Sequence, residues 1–188
     1  MRKLKLQMQI TLDGFNSTGD LDEQQWVTWD WNGIKEQVFD LLDTSDTIIL
    51  GRKLAEGYIP HWQETVNKPD DPMYRLATRI VNTNKVVFTK KWDKSKWKNT
   101  VLAKGGLKDE IVKLKLQKGK DIIVYGGSSF VSSLIKEGLV DEYHFFINPI
   151  VIGKGISAFG EIMNWQNLKF IHSKTYESGI VLLSYEKT

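Results

Sequence analysis

The 188-residue sequence contains no cysteine. Disulfides, thiolate nucleophiles and cysteine-held metals are therefore excluded. Its three histidines, His61, His144 and His172, stand far apart, without the paired spacing of a metal site. No apolar run approaches the roughly 18–20 residues needed to span a bilayer. The opening MRKLKLQMQI alternates apolar and polar residues and lacks the continuous apolar segment of a secretory signal. A cytoplasmic protein is expected, with no membrane partner and no metal. The sequence also has no G-x-G-x-x-G, no G-x-x-x-x-G-K-[ST] and no G-x-S-x-G. A standard dinucleotide fingerprint, a phosphate loop and a serine-hydrolase elbow are thus all missing.

Charge is nearly balanced, with 26 basic against 23 acidic residues. The two signs are interspersed, whereas strong nucleic-acid binders concentrate basic charge on one face. The tract Lys85 to Lys104, where lysines interleave with Trp92 and Trp97, is the densest exception. It is the only stretch on which a nucleic-acid reading could rest, and no nucleic acid is expected as partner.

What the chain does have is a repeated pattern of strand, turn and helix. Leu4, Leu6, Met8 and Ile10 alternate with polar residues, which predicts a strand with one face in the core. It runs into Asp13-Gly14, a turn signal. The loop from Asn16 to Trp31 carries Trp26, Trp29 and Trp31, which either cover the core edge or line a substrate. Ile34, Val38, Leu41 and Leu42 give an amphipathic helix ending near Thr44. The apolar run Thr47–Leu50 then stops at Gly51-Arg52-Lys53, where a short helix begins and Pro60 should end it. Two cations at a helix start oppose the helix dipole unless an anion lies between them; the alternative is two solvated charges. Pro72 suits the first position of a further helix with Asp71 as its cap. Val86–Thr89 is a third buried strand, followed by Lys90-Lys91.

The most informative stretch is DIIVYGGSSFVSSLIKEGLVDEYHFFINPIVIGKG, from Asp121 to Gly155. An apolar strand halts at Gly126-Gly127, Ser128 and Ser129 are candidate caps, and a helix stripe follows to Gly138. Backbone N–H groups at such a glycine turn favour a phosphate. The chain closes with Leu168–Tyr176 and Ile180–Glu186, two β-rich runs joined through Ser178-Gly179. Strands alternating with helices imply one α/β domain over 1–188, its sheet mostly parallel with an antiparallel edge. In such sheets ligands bind beyond the carboxyl ends of the strands. The turns at Gly51, Thr89 and Gly126 could therefore form one anion-binding rim.

This stretch, with Thr11-Leu12-Asp13-Gly14 and Ile49-Leu50-Gly51-Arg52-Lys53, resembles the dihydrofolate reductase superfamily. It is most similar to the branch holding the C-terminal reductase domain of the bifunctional riboflavin-biosynthesis deaminase/reductase. The resemblance covers nearly the whole chain. It implies a three-layer dihydrofolate reductase-like fold: a central mostly parallel mixed sheet, helices on both faces and a C-terminal antiparallel hairpin. It implies NADPH-dependent reduction of a small pterin- or pyrimidine-like heterocycle, and a homodimer with His144-Phe145-Phe146 in the contact. Gly126, Gly127, Ser128, Ser129 and Phe130 would hold the pyrophosphate and nicotinamide ribose. Gly51, Arg52 and Lys53 would contact the adenosine-side phosphates, and Thr89, Lys90 and Lys91 the 2′-phosphate. Gln9 and Ile10 would flank the nicotinamide. Asp13 is the carboxylate nearest that end, either assisting the substrate or simply turning the chain with Gly14. An NADP-binding protein without catalysis is a second reading, and a nucleic-acid binder a third.

Overall fold

The computed structural model describes residues 1–19 and 24–188; part of the tryptophan loop, 20–23, lies outside them. In chain order the elements are β1 (Leu4–Thr11), β2 (Phe15–Ser17), α1 (Trp31–Asp43), β3 (Ser45–Gly51) and α2 (Arg52–Thr65). Next come α3 (Tyr74–Asn82), β4 (Asn84–Phe88), β5 (Thr100–Ala103), α4 (Leu107–Leu116), β6 (Asp121–Gly126) and α5 (Ser128–Lys136). The chain ends with β7 (Glu142–Asn148), β8 (Ile156–Ser157), β9 (Leu168–Thr175) and β10 (Val181–Lys187).

Eight strands form one sheet in the order β5-β4-β3-β6-β1-β7-β10-β9. The first six run parallel, and β10 and β9 add antiparallel to β7. The three layers and the terminal hairpin are those expected from the sequence. One face of the sheet packs under α4 and α5, with Leu6, Val124, Phe145, Ile111 and Leu134 at the centre. The other lies under α1, α2 and α3, with Ile48, Leu50, Ile123, Phe146, Val38 and Ile59.

Several expected details differ. Pro60 does not end α2, which continues to Thr65. Proline takes one hydrogen bond from the exposed Glu56 carbonyl, but the extra turn buries Trp62 and Thr65, a larger gain. Helix α3 starts at Tyr74 rather than Pro72, although Asp71 still accepts the Met73 N–H, at 2.8 Å. The cap of α5 is Gly127, not Ser128 or Ser129, because the strand runs straight into the helix. Gly138 does close α5, at φ +63. The small strands β2, β5 and β8 carry no sequence pattern long enough to announce them. His144-Phe145-Phe146 cannot form a subunit contact: β1 and β10 flank them within one chain, and all three are buried.

The polar side of β1 is also not solvent-facing. Lys5 is 7% exposed, and its ammonium lies 2.9 Å from Asp121 Oδ2 and 3.0 Å from Thr44 Oγ1. Glu142, paired with Lys5 across β1 and β7, sits 2.6 Å from Lys3 Nζ and 3.4 Å from His144 Nε2. His144 Nδ1 in turn meets Ser184 Oγ at 2.9 Å. The contact with His144, helped by Lys3 and Lys5 against the opposing effect of burial, lowers the Glu142 carboxyl to about 2. A carboxyl depressed in the fold stabilises it above its unfolded pKa and loses that contribution as pH falls through the folded value. Replacing Glu142 by Gln should therefore cost about 2–3 kcal/mol at neutral pH. In urea titrations the deficit should shrink as pH drops from 4.5 towards about 2.

Candidate functional site

Parallel pairing brings the carboxyl ends of β3, β4, β5, β6, β1 and β7 to one edge of the sheet. The middle of that edge is built from the β3–α2 and β6–α5 junctions, where strand passes into helix without a loop. Glycine is required there by space. A Cβ on Gly51 would lie 2.9 Å from Phe130 Cβ and 3.5 Å from the Gly127 nitrogen. Gly126 adopts φ +142, and a Cβ there would approach Leu54 Cδ2 to 3.3 Å. The Gly126–Gly127 peptide is cis. Phe130 also packs on Phe88 at the end of β4, with ring centres 4.9 Å apart. The two junctions thus press against each other and expose backbone.

The helix starts differ in how their unpaired N–H groups are met. Asp30 caps α1, accepting the Gly33 N–H at 3.0 Å. Asp71 serves the turn before α3. Asp109 and Glu110 occupy the first turn of α4, and Glu110 accepts the Gly105 N–H. Helices α2 and α5 have no such group: each begins at a glycine, with no side-chain cap and no acid in its first turn. These two helices, the adjacent pair on the rim, begin with first N–H groups that no side chain of the helix start accepts.

The cations stand around them. Lys53, Lys90 and Lys91 are exposed, and none forms an ion pair among the described residues. Arg52 holds Glu56 at 2.6 Å. Buried Thr89 fixes the turn after β4: its N–H donates to Ala103 O, and its Oγ1 accepts the Lys91 N–H at 3.0 Å. Across the rim, Gln9 and Ile10 lie near the end of β1 and are both held by Asn148. The Asn148 Nδ2 donates to Gln9 Oε1 at 2.9 Å and to Ile10 O at 3.2 Å, while its Oδ1 accepts the Thr28 N–H at 2.7 Å. Asn16 Nδ2 donates to Ser128 Oγ at 2.7 Å and joins the β1–β2 segment to α5. Neither asparagine stood out by residue type; the Asn148-Pro149 dipeptide was the one available signal.

Asp13 is exposed but fully engaged. Its carboxylate accepts the Thr11 hydroxyl at 2.6 Å and the N–H groups of Ile152, at 3.2 Å, and Gly153, at 2.8 Å. The Thr11 bond, with the Gly153 and Ile152 bonds adding, holds it below the usual carboxylate range. The structure gives it the role of clasping the loop after β7 to the end of β1. Of the tryptophans, Trp26 is buried and Trp29 exposed, and Trp31 opens α1, its indole donating to Pro72 O at 3.1 Å. Within the Lys85–Lys104 tract the side chains differ in environment: Lys90, Lys91, Lys94, Lys96 and Lys98 are exposed. Lys85 is buried and donates to Thr83 O and Val81 O. Trp92 and Trp97 pack on each other, with ring centres 5.3 Å apart, and Lys104 pairs with Asp93. Among the described residues no group of acids and histidines could hold a metal, and no helix is long and apolar enough to cross a membrane.

Comparison with known proteins gives this arrangement a family. The chain is 31% identical over 186 residues to the Bacillus subtilis (strain 168) uncharacterized protein YyaP, covering 98% of this chain and 94% of the other. Among solved structures it resembles a putative riboflavin biosynthesis protein from Shewanella sp. PV-4, with TM-score 0.73, 21% identity and 99% of each chain covered. It also resembles a Thermotoga maritima diaminohydroxyphosphoribosylaminopyrimidine deaminase/5-amino-6-(5-phosphoribosylamino)uracil reductase, with TM-score 0.70 and 17% identity. All of this chain, but 57% of the other, is covered in that match. Residues 2–182 match the model of the RibD C-terminal domain, and the chain belongs to that family.

Proposed function

We propose that the protein is an NADPH-dependent reductase acting on a pterin- or pyrimidine-like heterocycle. The observation that carries this reading is the pair of helix starts on the rim: α2 and α5 each begin at a strand-end glycine with no side-chain cap and no acid in the first turn, whereas α1 and α4 carry acids at their starts and α3 has Asp71 in the turn before it. Both face a rim bearing Arg52, Lys53, Lys90 and Lys91. The donor set fits a dinucleotide carrying an additional phosphate. Gly126, Gly127, Ser128, Ser129 and Phe130 would hold the pyrophosphate and nicotinamide ribose, and Gly51, Arg52 and Lys53 the adenosine-side phosphates. Thr89, Lys90 and Lys91 would take the 2′-phosphate. When bound, NADPH supplies the hydride. The chain's own contribution is placement: Asn148 orients Gln9 and Ile10 beside the nicotinamide position, and Asp13 keeps the loop after β7 closed over that end.

NADPH titration followed by its fluorescence, with NADH as control, tests the reading. Tight NADPH binding and much weaker NADH binding are expected; binding of neither cofactor at near-millimolar concentration would overturn it. Replacing Lys90 and Lys91 together by Gln should weaken NADPH about tenfold or more and leave NADH unchanged. Gly51→Ala, by driving a methyl into Phe130, should lower stability by about 1–3 kcal/mol and weaken cofactor binding along with it. Consumption of NADPH against a panel of pterins and aminopyrimidines then distinguishes a reductase from a protein that only binds the cofactor.

We also propose self-association as a homodimer. The outer edge of β9 is unpaired, its Phe170 and Ile171 are exposed, and Trp165, three residues before the strand, is fully exposed. Light scattering should give twice the 21.6 kDa monomer mass, and Phe170→Glu should shift the protein to monomer. A wild-type monomer would refute the proposal.

A further inference from the structure

Strand β2 is three residues long, and its pairing with β8 is irregular at the middle one. Phe15 pairs with Ser157 and Ser17 with Ile156, so Asn16 is the extra residue of a β-bulge. A bulge re-aims a side chain that a regular ladder would direct elsewhere. Here the Asn16 amide is turned onto the start of α5, where its Nδ2 donates to Ser128 Oγ at 2.7 Å. Strand β8 makes a second tie one turn further along, since Ser132 Oγ donates to Ser157 O at 3.3 Å. Ser128 and Ser132 are four residues apart and share one face of the helix. The β2–β8 ribbon lies along that face, drawn so tight that a Cβ on Gly155 would collide with Ser17 O. Ser129 is exposed, and the Ser133 hydroxyl turns back to its carbonyl at 2.9 Å.

Two features set the Asn16–Ser128 contact apart from an ordinary brace between loop and helix. The hydrogen bond has a direction: a hydroxyl owns one proton and accepts through its lone pairs. Asn16 supplies the proton for this bond, so the Ser128 proton is left over, and no acceptor among the described residues takes it. That hydroxyl stands at the first position of α5, beside N–H groups that no side chain caps. The second feature is that the fold gains little from Asn16. Its Oδ1 is buried and meets no donor, and an orphaned acceptor costs stability. A bulged side chain, held against the interest of the fold and aimed at an uncapped helix start, fits a ligand's needs better than those of packing.

We infer that Asn16 is a positioning residue for the dinucleotide: it fills a lone pair of Ser128, so that the hydroxyl proton is presented to a pyrophosphate oxygen. This inference rests on the reductase reading for the identity of the anion, while the direction of the hydroxyl comes from the Asn16 contact alone. Ser128 thereby adds a side-chain donor to the backbone N–H groups at the start of α5, and a bond from such a donor to a charged oxygen is stronger than one between neutral groups. Without Asn16 the hydroxyl rotates freely and gives its proton to water. Asn16 acts through Ser128 and makes no contact with the phosphate itself.

Three measurements test the proposal: NADPH affinity by fluorescence, adenosine 2′-monophosphate affinity by calorimetry, and the thermal unfolding midpoint of the ligand-free protein. Asn16→Ala should weaken NADPH about fivefold yet leave the midpoint unchanged or higher, whereas loss of a brace would lower it. Asn16→Asp, whose carboxylate can only accept, takes the Ser128 proton for itself and should weaken NADPH at least about tenfold. Asn16→Ala combined with Ser128→Ala should bind no more weakly than Ser128→Ala alone, because one residue acts through the other. Adenosine 2′-monophosphate, which carries no pyrophosphate, should bind both Asn16 variants as it binds the wild type. The proposal is overturned if NADPH affinity survives either Asn16 substitution, or if the two alanine effects add. It is equally overturned if affinity falls only in step with the unfolding midpoint, or if the monophosphate weakens in parallel. A wild type that binds no NADPH sinks the reductase reading and the proposal with it. NADPH binding that is indifferent to Asn16 sinks the proposal alone, so the two failures are distinguishable.

Discussion

Everything at the rim depends on one constraint, the parallel pairing of six consecutive positions in the sheet. A parallel strand must return by a crossover before the next can be laid down, so each following turn emerges on the same edge. Helices α2 and α5 then start side by side, and the space between them is too small for a side chain at Gly51. Backbone is exposed at that point because nothing else fits. The concentration of N–H donors and lysines on one edge is thus a consequence of topology first and of residue choice second.

The same topology explains an interior that is more polar than a small domain needs. Strand β1 is central and covered on both faces, so its alternating lysine is buried and its glutamines half-buried. Lys5 is met by Asp121 and Thr44, and Gln9 by Asn148. Buried charges are costly unless paired, and here the partners come from β6, the end of α1 and β7, elements remote in sequence. Such a set is satisfied in one register of the strands and disrupted in any other.

Much of this was legible in the sequence where residue type and local geometry coincide. Gly126-Gly127 and Gly51 announce the junctions because no other residue tolerates the approach. The period-two pattern of β1 announces a strand, but the same pattern gives a wrong environment: alternation reads as one wet face, and only the helices packed on both faces of the sheet reveal that Lys5 is buried there. Pro60 misleads for a related reason, since the cost of a proline is local while the burial of Trp62 that outweighs it is tertiary. Asn16 was invisible as a site residue, and Asn148 showed only through its dipeptide with Pro149, because each acts on a partner brought near only by the fold. Conversely, the lysines and tryptophans of the Lys85–Lys104 tract look like a surface in sequence, yet the fold uses Lys85, Trp92 and Trp97 to pack and pin the sheet's far edge.

Lys85 carries a consequence of its own. Its buried ammonium, lowered to about 8 by desolvation, is attached to the last carbonyls of α3. Charge at that spot complements the negative end of the helix dipole while paying for desolvation. The two effects oppose each other within one side chain, and mild alkali removes both together. The start of β4 therefore holds a lysine whose charge is less firmly kept than that of an exposed one.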